Sequence, residues 1–426
     1  MNSNDNIFLN LLSAYINKKE ISLNDPKNID WDYIYKLATI HNVVGIIYAV
    51  VNRNKINIPK ELNEKMQKAF FATTIYSIKQ EEEAKKLIDI LNENRIWHLV
   101  SKGYVIRDYY PDKELRTMGD IDILVTKKSL NTVRELLSKN GYKKGHEIGS
   151  ESVFIKNDVV FEIHTSLMDE SLGGVFDYDK YYNKILKRES KRLITNYTYT
   201  LMPEEHFVYL IVHLAKHFFN DGAGIRMFMD IFLFGKINFT KINWNKVKRI
   251  LYDMQLGKFA NNIWYICLKW FAAEERNEIY KVWKPMLMSE NLYKQVESYV
   301  LRGGVFGFDG HDKNQKMFRQ PEVIKEDDDI NKKWRFILKW VFPNYEKIQK
   351  HYKWFKNKPI ILIPLGWGIR IISKIFINPK DFFNKIKFLF KKNTAKEEYE
   401  MLKNMGLYNK GEMYYGSTKR GEKSKR

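Results

Sequence analysis

The chain has 426 residues, of which 44% are hydrophobic and 29% are charged, and this composition favours a folded globular protein over a disordered one. The length predicts two or three domains. The single cysteine, Cys267, excludes an internal disulfide framework and a zinc site built from several thiolates, and it is typical of a reducing, cytoplasmic environment. The N-terminus has no basic segment followed by an apolar stretch, so no signal peptide is predicted.

The net charge of +21 is concentrated near the C-terminus. Residues 332–426 contain 24 lysines and arginines against 7 acidic residues, whereas residues 1–331 contain 48 and 44. Such a region, which also carries several aromatic residues, has three interpretations: it binds an anionic polymer such as nucleic acid, it lies peripherally on an anionic membrane surface, or it is a solvated helical face. Its apolar run at 359–369 is too short to span a bilayer.

The N-terminal part, residues 1–76, is predicted to be a helical region. Trp31, Ile34, Leu37 and His41 recur at helical spacing, so His41 is interpreted as a packed or surface histidine rather than a ligand. Residues 77–170 are predicted to be a small α/β core that begins with an amphipathic helix. The elements expected after this helix are a strand at 96–100, a short helix at 104–110, a strand at 119–125, a helix at 128–140 and a hairpin formed by 153–155 and 159–164.

The rest of the chain is predicted to be helical. A helical domain is expected over 171–331, and a basic helical C-terminal region with a disordered tail from residue 411 onward is expected over 332–426. The expected helices of the first of these regions are 204–219, 227–234, 244–256 and 259–271. The fold class is therefore α+β, with a small α/β core embedded in a mostly helical protein.

The sharpest chemical signal is the pair Asp120 and Asp122. Residues i and i+2 of a strand project from the same face, so two carboxylates would lie side by side while Ile121 and Ile123 point into the core. Adjacent carboxylates repel each other unless a cation lies between them, and Mg²⁺ prefers such oxygen ligands. The alternative is a solvated strand face.

Two further groups of residues fit the binding of a phosphorylated substrate. Ser101, Lys102 and Gly103 end one strand and open a helix, where backbone N–H groups, a lysine charge and a glycine would suit a phosphate. Arg116 would either reach a triphosphate or form a salt bridge with an acidic neighbour.

The strand at 159–164 supplies more polar candidates, because Glu162 and His164 share one of its faces. If this strand lies beside the strand of Asp120, Glu162 becomes a third carboxylate, and three acids would hold two Mg²⁺ ions for phosphoryl-group chemistry. His164 would then orient Glu162 or contact the substrate. The alternatives are that Glu162 forms an ion pair with a nearby basic residue and that His164 makes a structural hydrogen bond.

A pair of histidines, His213 and His217, is spaced i, i+4 on one predicted helix. This spacing is compatible with zinc, but no glutamate follows His213, so the metalloprotease pattern is absent. The two histidines are expected to line a cleft or to pack against Asp230.

The order of these motifs resembles the uncharacterised nucleotidyltransferase family of the polymerase-β-like superfamily, over roughly residues 25–390. The resemblance rests on Lys102-Gly103, Tyr110-Pro111, Arg116, Gly119-Asp120-Ile121-Asp122 and Phe161-Glu162-Ile163-His164, with weaker features that include Arg226, Asp230, Gly303–Gly307 and Phe342-Pro343. It implies a polymerase-β-like core, nucleotidyl transfer from an NTP, and Asp120 and Asp122 as metal ligands with Glu162 as the third acid. One departure is that Lys102-Gly103 replaces the usual Gly-Gly or Gly-Ser, and Ser101 is a candidate for the missing hydroxyl.

The resulting hypothesis is a cytoplasmic, ATP- or other NTP-binding nucleotidyltransferase that uses two Mg²⁺ ions. Its acceptor would be a small molecule, peptide, protein or RNA, and the flanking helical regions would form the acceptor pocket. Two alternatives stay open at this point: a related transferase with a phosphoryl or sugar donor, and a non-catalytic module whose basic C-terminal region docks on a polymer or a membrane.

Overall fold

The computed structural model describes most of the chain. The described residues are 3–23, 26–148, 151–168, 176–187, 191–220, 222–272, 282–303, 342–345, 348, 355, 359–377 and 394–407. The glycine-rich segment after Gly303 and the tail that was predicted to be disordered lie outside them. The chain divides into two compact units, residues 1–308 with 404–411 and residues 309–403 with 412–426.

The described helices of eight or more residues extend from the N-terminus almost to the end of the described chain, and only α5 among the labelled helices is shorter. Their bounds are α1 Ser3–Ile16, α2 Trp31–Ile40, α3 Val44–Arg53, α4 Lys60–Glu93, α5 Lys102–Ile106, α6 Leu130–Lys139, α7 Tyr178–Lys187, α8 Pro203–Asn220, α9 Ile225–Ile237, α10 Trp244–Asp253, α11 Gly257–Phe271, α12 Glu290–Gly303, α13 Ile363–Ile377 and α14 Thr394–Met405. The helices predicted after residue 203 are confirmed as α8 to α11.

The predicted domain boundary between residues 76 and 77 falls inside helix α4. It is one continuous helix of 34 residues. No glycine or proline interrupts residues 60–93, so nothing in this stretch favours ending the helix. Apolar residues near its start, such as Met66, and near its end, such as Leu87, are both buried, so the helix packs along its whole length.

Seven strands form a single mixed sheet. Their bounds are β1 His98–Val100, β2 Ile121–Val125, β3 Lys143–Ile148, β4 Glu151–Lys156, β5 Val159–His164, β6 Lys191–Thr195 and β7 Thr198–Leu201, in the order β3-β4-β5-β2-β1-β7-β6. Strand β2 pairs parallel with β5 and antiparallel with β1. The predicted hairpin is confirmed: β4 and β5 are joined through Asn157 and Asp158, which both adopt left-handed backbone angles, as tight hairpin turns require.

Three strands were not predicted, and two of them, β6 and β7, extend the sheet beyond the predicted core boundary at residue 170. Strands β3 and β6 are the two edges of the sheet. The described side chains of β3 are exposed, and its sequence Lys-Lys-Gly-His-Glu-Ile has no alternation of apolar and polar residues. An edge strand of this kind is held by backbone hydrogen bonds to one neighbour, so hydrophobic periodicity gives no sign of it.

One face of the sheet is covered by α4 and α6 and forms a compact hydrophobic core. The buried side chains of this core are Ala84, Leu87, Leu91, Ile96, Ile121, Ile123, Val125, Val133, Leu137, Tyr142, Phe154, Val159, Phe161 and Ile163. Because successive strand residues point to opposite faces, the residues between these apolar ones lie on the other face. That second face carries Asp122, Glu162 and His164.

His41, at the end of α2, is confirmed as a packed histidine. Its Nδ1 accepts the backbone N–H of Ile225 at 3.2 Å and its Nε2 donates to the carbonyl of Leu301 at 3.0 Å. Burial lowers the pKa of His41 to about 4. The neutral ring therefore joins α2 to the start of α9 and to α12 with both nitrogens satisfied.

The second unit is described only in part. Helix α13 and the turn before it expose the apolar residues Ile360, Ile361, Leu365 and Ile372. Residues 346–392 contain 12 lysines and arginines against 2 acidic residues. None of the helices in the described part of the chain has the length and apolar character needed to cross a membrane.

Candidate active site

The two parallel strands β2 and β5 bring the predicted acids together. Asp122 is directly paired with Glu162 across the strands, and Leu124 is paired with His164. Asp120 lies just before β2, and its carboxyl group hydrogen-bonds to that of Glu162. Ile121, which is fully buried, fixes the strand so that the acids stay on the polar face. The acidic site is defined here as Asp120, Asp122 and Glu162.

Two cationic side chains contact the acidic site. The ammonium of Lys102 forms an ion pair with Asp122. The Nε2–H of His164 donates to Asp122 Oδ1 at 2.9 Å and lies 3.2 Å from Glu162 Oε2. Two cations therefore face three carboxyl groups, and all five side chains are buried or partly buried.

The pKa values separate the two aspartates. Burial, together with the nearby charges of Asp122 and Glu162, raises the pKa of Asp120 to about 7. Burial alone would also raise the pKa of Asp122, but the Lys102 charge and His164 hold it well below its usual range. The hydrogen bond from His164 lowers the pKa of Glu162. Asp120 is thus the most readily protonated of the three acids, and its hydrogen bond to Glu162 lets the two carboxyl groups share that proton.

His164 is held in its cationic form. Burial alone would lower its pKa, but hydrogen bonds to Asp122 and Glu162 raise the pKa of His164 to about 9. A cationic ring donates protons and cannot ligate a metal, whereas a neutral ring can. His164 therefore acts as a counter-charge to the two carboxylates, and only its neutral form would be able to ligate a metal.

Lys102 reaches Asp122 from an unusual backbone conformation. Its φ angle is +51°, in the left-handed region that non-glycine residues adopt at a cost of about 1–2 kcal/mol. Tyr209, on α8, hydrogen-bonds to the same ammonium. The strained backbone and these two partners fix the lysine charge beside the acids.

Gly103 is placed against Arg116 rather than in open space. A Cβ atom at Gly103 would collide with the guanidinium of Arg116, so only glycine leaves room for this arginine. Arg116 in turn donates through Nη2 to Asp230 at 2.6 Å and through Nε at 3.3 Å. Tyr110 donates its hydroxyl to the same carboxylate at 2.6 Å. Of the two interpretations of Arg116, the structure places it in the salt bridge.

The histidine pair lies one and two turns beyond Tyr209 on α8. The rings of His213 and His217 are 4.7 Å apart between centroids, and the ring of Tyr209 is 6.2 Å from that of His213. Burial is the main cause that lowers the pKa of His213, and the charge of Lys102 adds to it. His213 is therefore held as a neutral ring next to Tyr209, and Asp230 is bound by Arg116 and Tyr110 instead.

Sequence reasoning missed Tyr209 and Ser166. Both line a small cavity of about 10 Å³, roughly the space of one water molecule, together with Ser101, Lys102, Asp122, Leu124, His164 and Leu167. The signal for Tyr209 was its spacing, since 209, 213 and 217 share one helix face. Nothing in the sequence pointed to Ser166, which follows β5 and donates to Asp179.

The donor atoms at this site fit a divalent cation. One oxygen of Asp122, one of Glu162 and one nitrogen of His164 all lie within 4.8 Å of one another. Two carboxylates, with Asp120 hydrogen-bonded to one of them, form the oxygen-rich donor set that Mg²⁺ and Mn²⁺ prefer. A cation bound there would replace the proton that Asp120 shares with Glu162.

A family model described as "Uncharacterised nucleotidyltransferase" matches residues 27–272. This is more than half of the chain and includes every candidate site residue, whereas the features after residue 300 that contributed to the resemblance lie outside the match. No curated protein matches. Among solved structures, the crystal structure of the Megavirus polyadenylate synthase matches at 12% identity and a TM-score of 0.28. That match covers 51% of this chain but only 39% of the synthase, and a similarity so low supports no argument.

Proposed function

The chain belongs to the uncharacterised nucleotidyltransferase family, and on that premise we propose that it transfers a nucleoside monophosphate from an NTP to an acceptor with the help of Mg²⁺. The observation that carries this proposal is the convergence of Asp120, Asp122 and Glu162 on one face of the sheet. Asp120 hydrogen-bonds to Glu162, and Lys102 and His164 both contact Asp122. Bringing three buried or partly buried acids together in this way would be costly for a purely structural cluster.

In the proposed reaction, an oxygen of the acceptor attacks the α-phosphorus of the NTP, the bond to the bridging oxygen breaks, and pyrophosphate leaves with that electron pair. Divalent cations, when bound, would offset the charge on the phosphates. Asp122 and Glu162 would hold these cations, with Asp120 completing the donor set. Lys102 would position a phosphate oxygen, and His164 would keep the two ligating carboxylates oriented.

The test is transfer of label from α-labelled NTPs in an extract that supplies acceptors, with added Mg²⁺ and with a chelator. We expect labelled product with the wild type and Mg²⁺, and none with the double variant Asp120→Asn, Asp122→Asn. Asp32→Asn is the matched control, because Asp32 is an exposed aspartate on α2.

Equal labelling by the wild type and the double variant would refute the proposal. Mass spectrometry of the product identifies the donor class: the gain of a nucleotide supports the proposal, whereas the gain of a phosphate or a hexose supports the alternative of another donor.

We also propose that the basic C-terminal region contacts an anionic lipid surface. Support comes from the exposed apolar residues of α13 and the turn before it, which lie in a segment with strong positive charge. Apolar side chains that accompany lysines favour a bilayer over nucleic acid. Co-sedimentation with anionic but not neutral vesicles, weakened by Ile361→Asp plus Leu365→Asp, is expected; binding to RNA alone would contradict the proposal.

A further inference from the structure

Two buried or partly buried arginines lie together near the acidic site, and only one of them has a carboxylate in direct contact. Arg116 Nη1 and Arg226 Nη1 both donate to the carbonyl oxygen of Thr117, at 3.3 Å and 2.7 Å. Asp230 forms an ion pair with Arg116. Among the described residues, no carboxylate lies within ion-pair distance of Arg226, on which Asp230 and Asp120 act only from a greater distance. Within the arginine pair, defined as Arg116 and Arg226, Arg226 is therefore the guanidinium without a direct counter-ion.

The position of Arg226 makes this lack of a direct counter-ion costly. It is the second residue of α9, at the helix end where the dipole is positive and a cation is unfavourable. Burial, followed by repulsion from Arg116, lowers the pKa of Arg226 to about 10. Its Nε is buried and makes no hydrogen bond within the described residues, although the side chain as a whole is partly exposed. A cation in such a place is stabilised when an anion binds to it.

The arginine pair is joined to the acidic site by direct contacts. Lys102 is bound to Asp122, Gly103 lies against the guanidinium of Arg116, and Arg116 shares the Thr117 carbonyl with Arg226. Thr117 is three residues before Asp120, so the short segment between them connects the two charge centres. The site therefore has a negative end that favours cations and a positive end that favours anions.

We propose that Arg226, beside the Arg116–Asp230 salt bridge, binds the β- and γ-phosphates of the donor nucleotide. This inference rests on the proposed function, since it assigns the substrate's polyphosphate to the positive end while the α-phosphate lies at the acids. Arg226 is then a binding residue, to which the sequence analysis assigned no role beyond a weak feature of the resemblance. The chain has Lys102-Gly103 where the family resemblance leads one to expect Gly-Gly or Gly-Ser. A contact from Arg226 to the phosphates would compensate for this departure.

The alternative is that Arg226 only fixes the segment before Asp120. It donates to the hydroxyl of Thr117 at 2.6 Å as well as to its carbonyl, and that hydroxyl donates to the carbonyl of Asn42 at 3.0 Å. A purely structural role predicts an effect on stability but none on anion affinity. The two roles are therefore separable by a binding measurement.

The experiment is a calorimetric titration of the full-length protein with inorganic tripolyphosphate, in chelator and about 150 mM salt to weaken surface binding. We expect Arg226→Met to reduce affinity about tenfold or more, because a charge-assisted contact is lost. Arg226→Lys should retain part of the affinity. Arg249→Met is the matched control, since Arg249 is exposed on α10, and binding by the basic C-terminal region is common to all variants.

A second measurement needs no variant. Modification of arginines with phenylglyoxal, followed by mass spectrometry, should show that tripolyphosphate protects Arg226 but not Arg249. Equal affinity of the wild type and Arg226→Met, or no protection of Arg226, would overturn the inference. The titration involves no transfer, so a loss of affinity in Arg226→Met alongside an inactive wild type would overturn only the proposed function.

Discussion

Asp230 is buried and Asp120 is partly buried, and the surroundings of these two aspartates are opposite. Asp230 receives two hydrogen bonds from Arg116 and one from Tyr110, so its charge is matched. Asp120 instead hydrogen-bonds to Glu162 and lies close to the charge of Asp122. The comparison teaches that burial alone does not show whether the charge of a carboxylate is matched. The useful criterion is whether the protein itself supplies the opposing charge.

Removing the carboxylate of Asp230 should produce the largest change in stability. Asp230→Ala leaves Arg116 charged and without its ion-pair partner, a loss that typically costs about 3–5 kcal/mol for a buried pair. Denaturant unfolding would measure it. Asp230→Ala combined with Arg116→Met should recover part of the lost stability. An unchanged free energy of unfolding in Asp230→Ala would show that the charge of Arg116 does not depend on Asp230.

A pH titration tests another buried group that is fully matched, His41. Its folded pKa of about 4 is below the ordinary value of 6.5, so the unfolded chain binds the proton first as the pH falls. The contribution of His41 is therefore complete above pH 6.5 and is lost between about pH 6.5 and 4, with a total of about 3 kcal/mol.

The measurement is the free energy of unfolding as a function of pH for the wild type and for His41→Gln. The glutamine retains a donor and an acceptor but does not titrate in this range. The wild type should lose more stability than the variant between pH 6.5 and 4. Parallel curves would show that burial does not hold His41 neutral in the folded protein.

Divalent cations that bind the acidic site should stabilise the folded protein. Mg²⁺ or Mn²⁺ that binds only the folded protein adds about 2.7 kcal/mol at a concentration 100 times its dissociation constant. We expect a rise in melting temperature with the wild type and little or none with Glu162→Gln. Glu297→Gln is a control, because Glu297 is a buried glutamate that already accepts a hydrogen bond from Tyr293. An equal rise in all three proteins would place the cation elsewhere.

The smallest effect should come from Gly103→Ala. The added methyl group meets the guanidinium of Arg116, so Arg116 must shift away from Asp230 at a cost of about 1–3 kcal/mol, as expected for overpacking. Gly368→Ala is the control, since a Cβ there meets nothing within 4 Å. Equal unfolding free energies for the two variants would show that Arg116 adapts freely.

The acidic site was largely predictable from the sequence, and the reason is local. The alternation of polar and apolar residues places Asp122 on one face of β2 and Glu162 on one face of β5, and pairing of the two strands then brings them together. The core beneath them was predictable for the same reason, since Ile121, Ile123 and Phe161 alternate with the acids.

The ion pair between Arg116 and Asp230 was not predictable from the sequence. Asp230 and Arg116 are separated by 114 positions, and no periodicity relates residues on different elements at such a distance. The edge strands β3 and β6 were not predicted because they have no buried face that would produce an alternating pattern. A domain boundary was placed inside α4 because the composition changes at residue 77, although the helix continues through this position. Local sequence patterns therefore predicted most helices and strands and the three acids, whereas the partners of these side chains depend on tertiary packing.

The ammonium of Lys102 has a consequence for how this enzyme takes up its substrates. It already lies beside Asp122, so a metal ion that bound this carboxylate would first have to displace the lysine side chain. The apparent affinity for metal would then be the intrinsic affinity reduced by the free energy of that displacement. A nucleotide that draws the lysine toward its own phosphates would relieve this competition, so metal and nucleotide should each favour the arrival of the other.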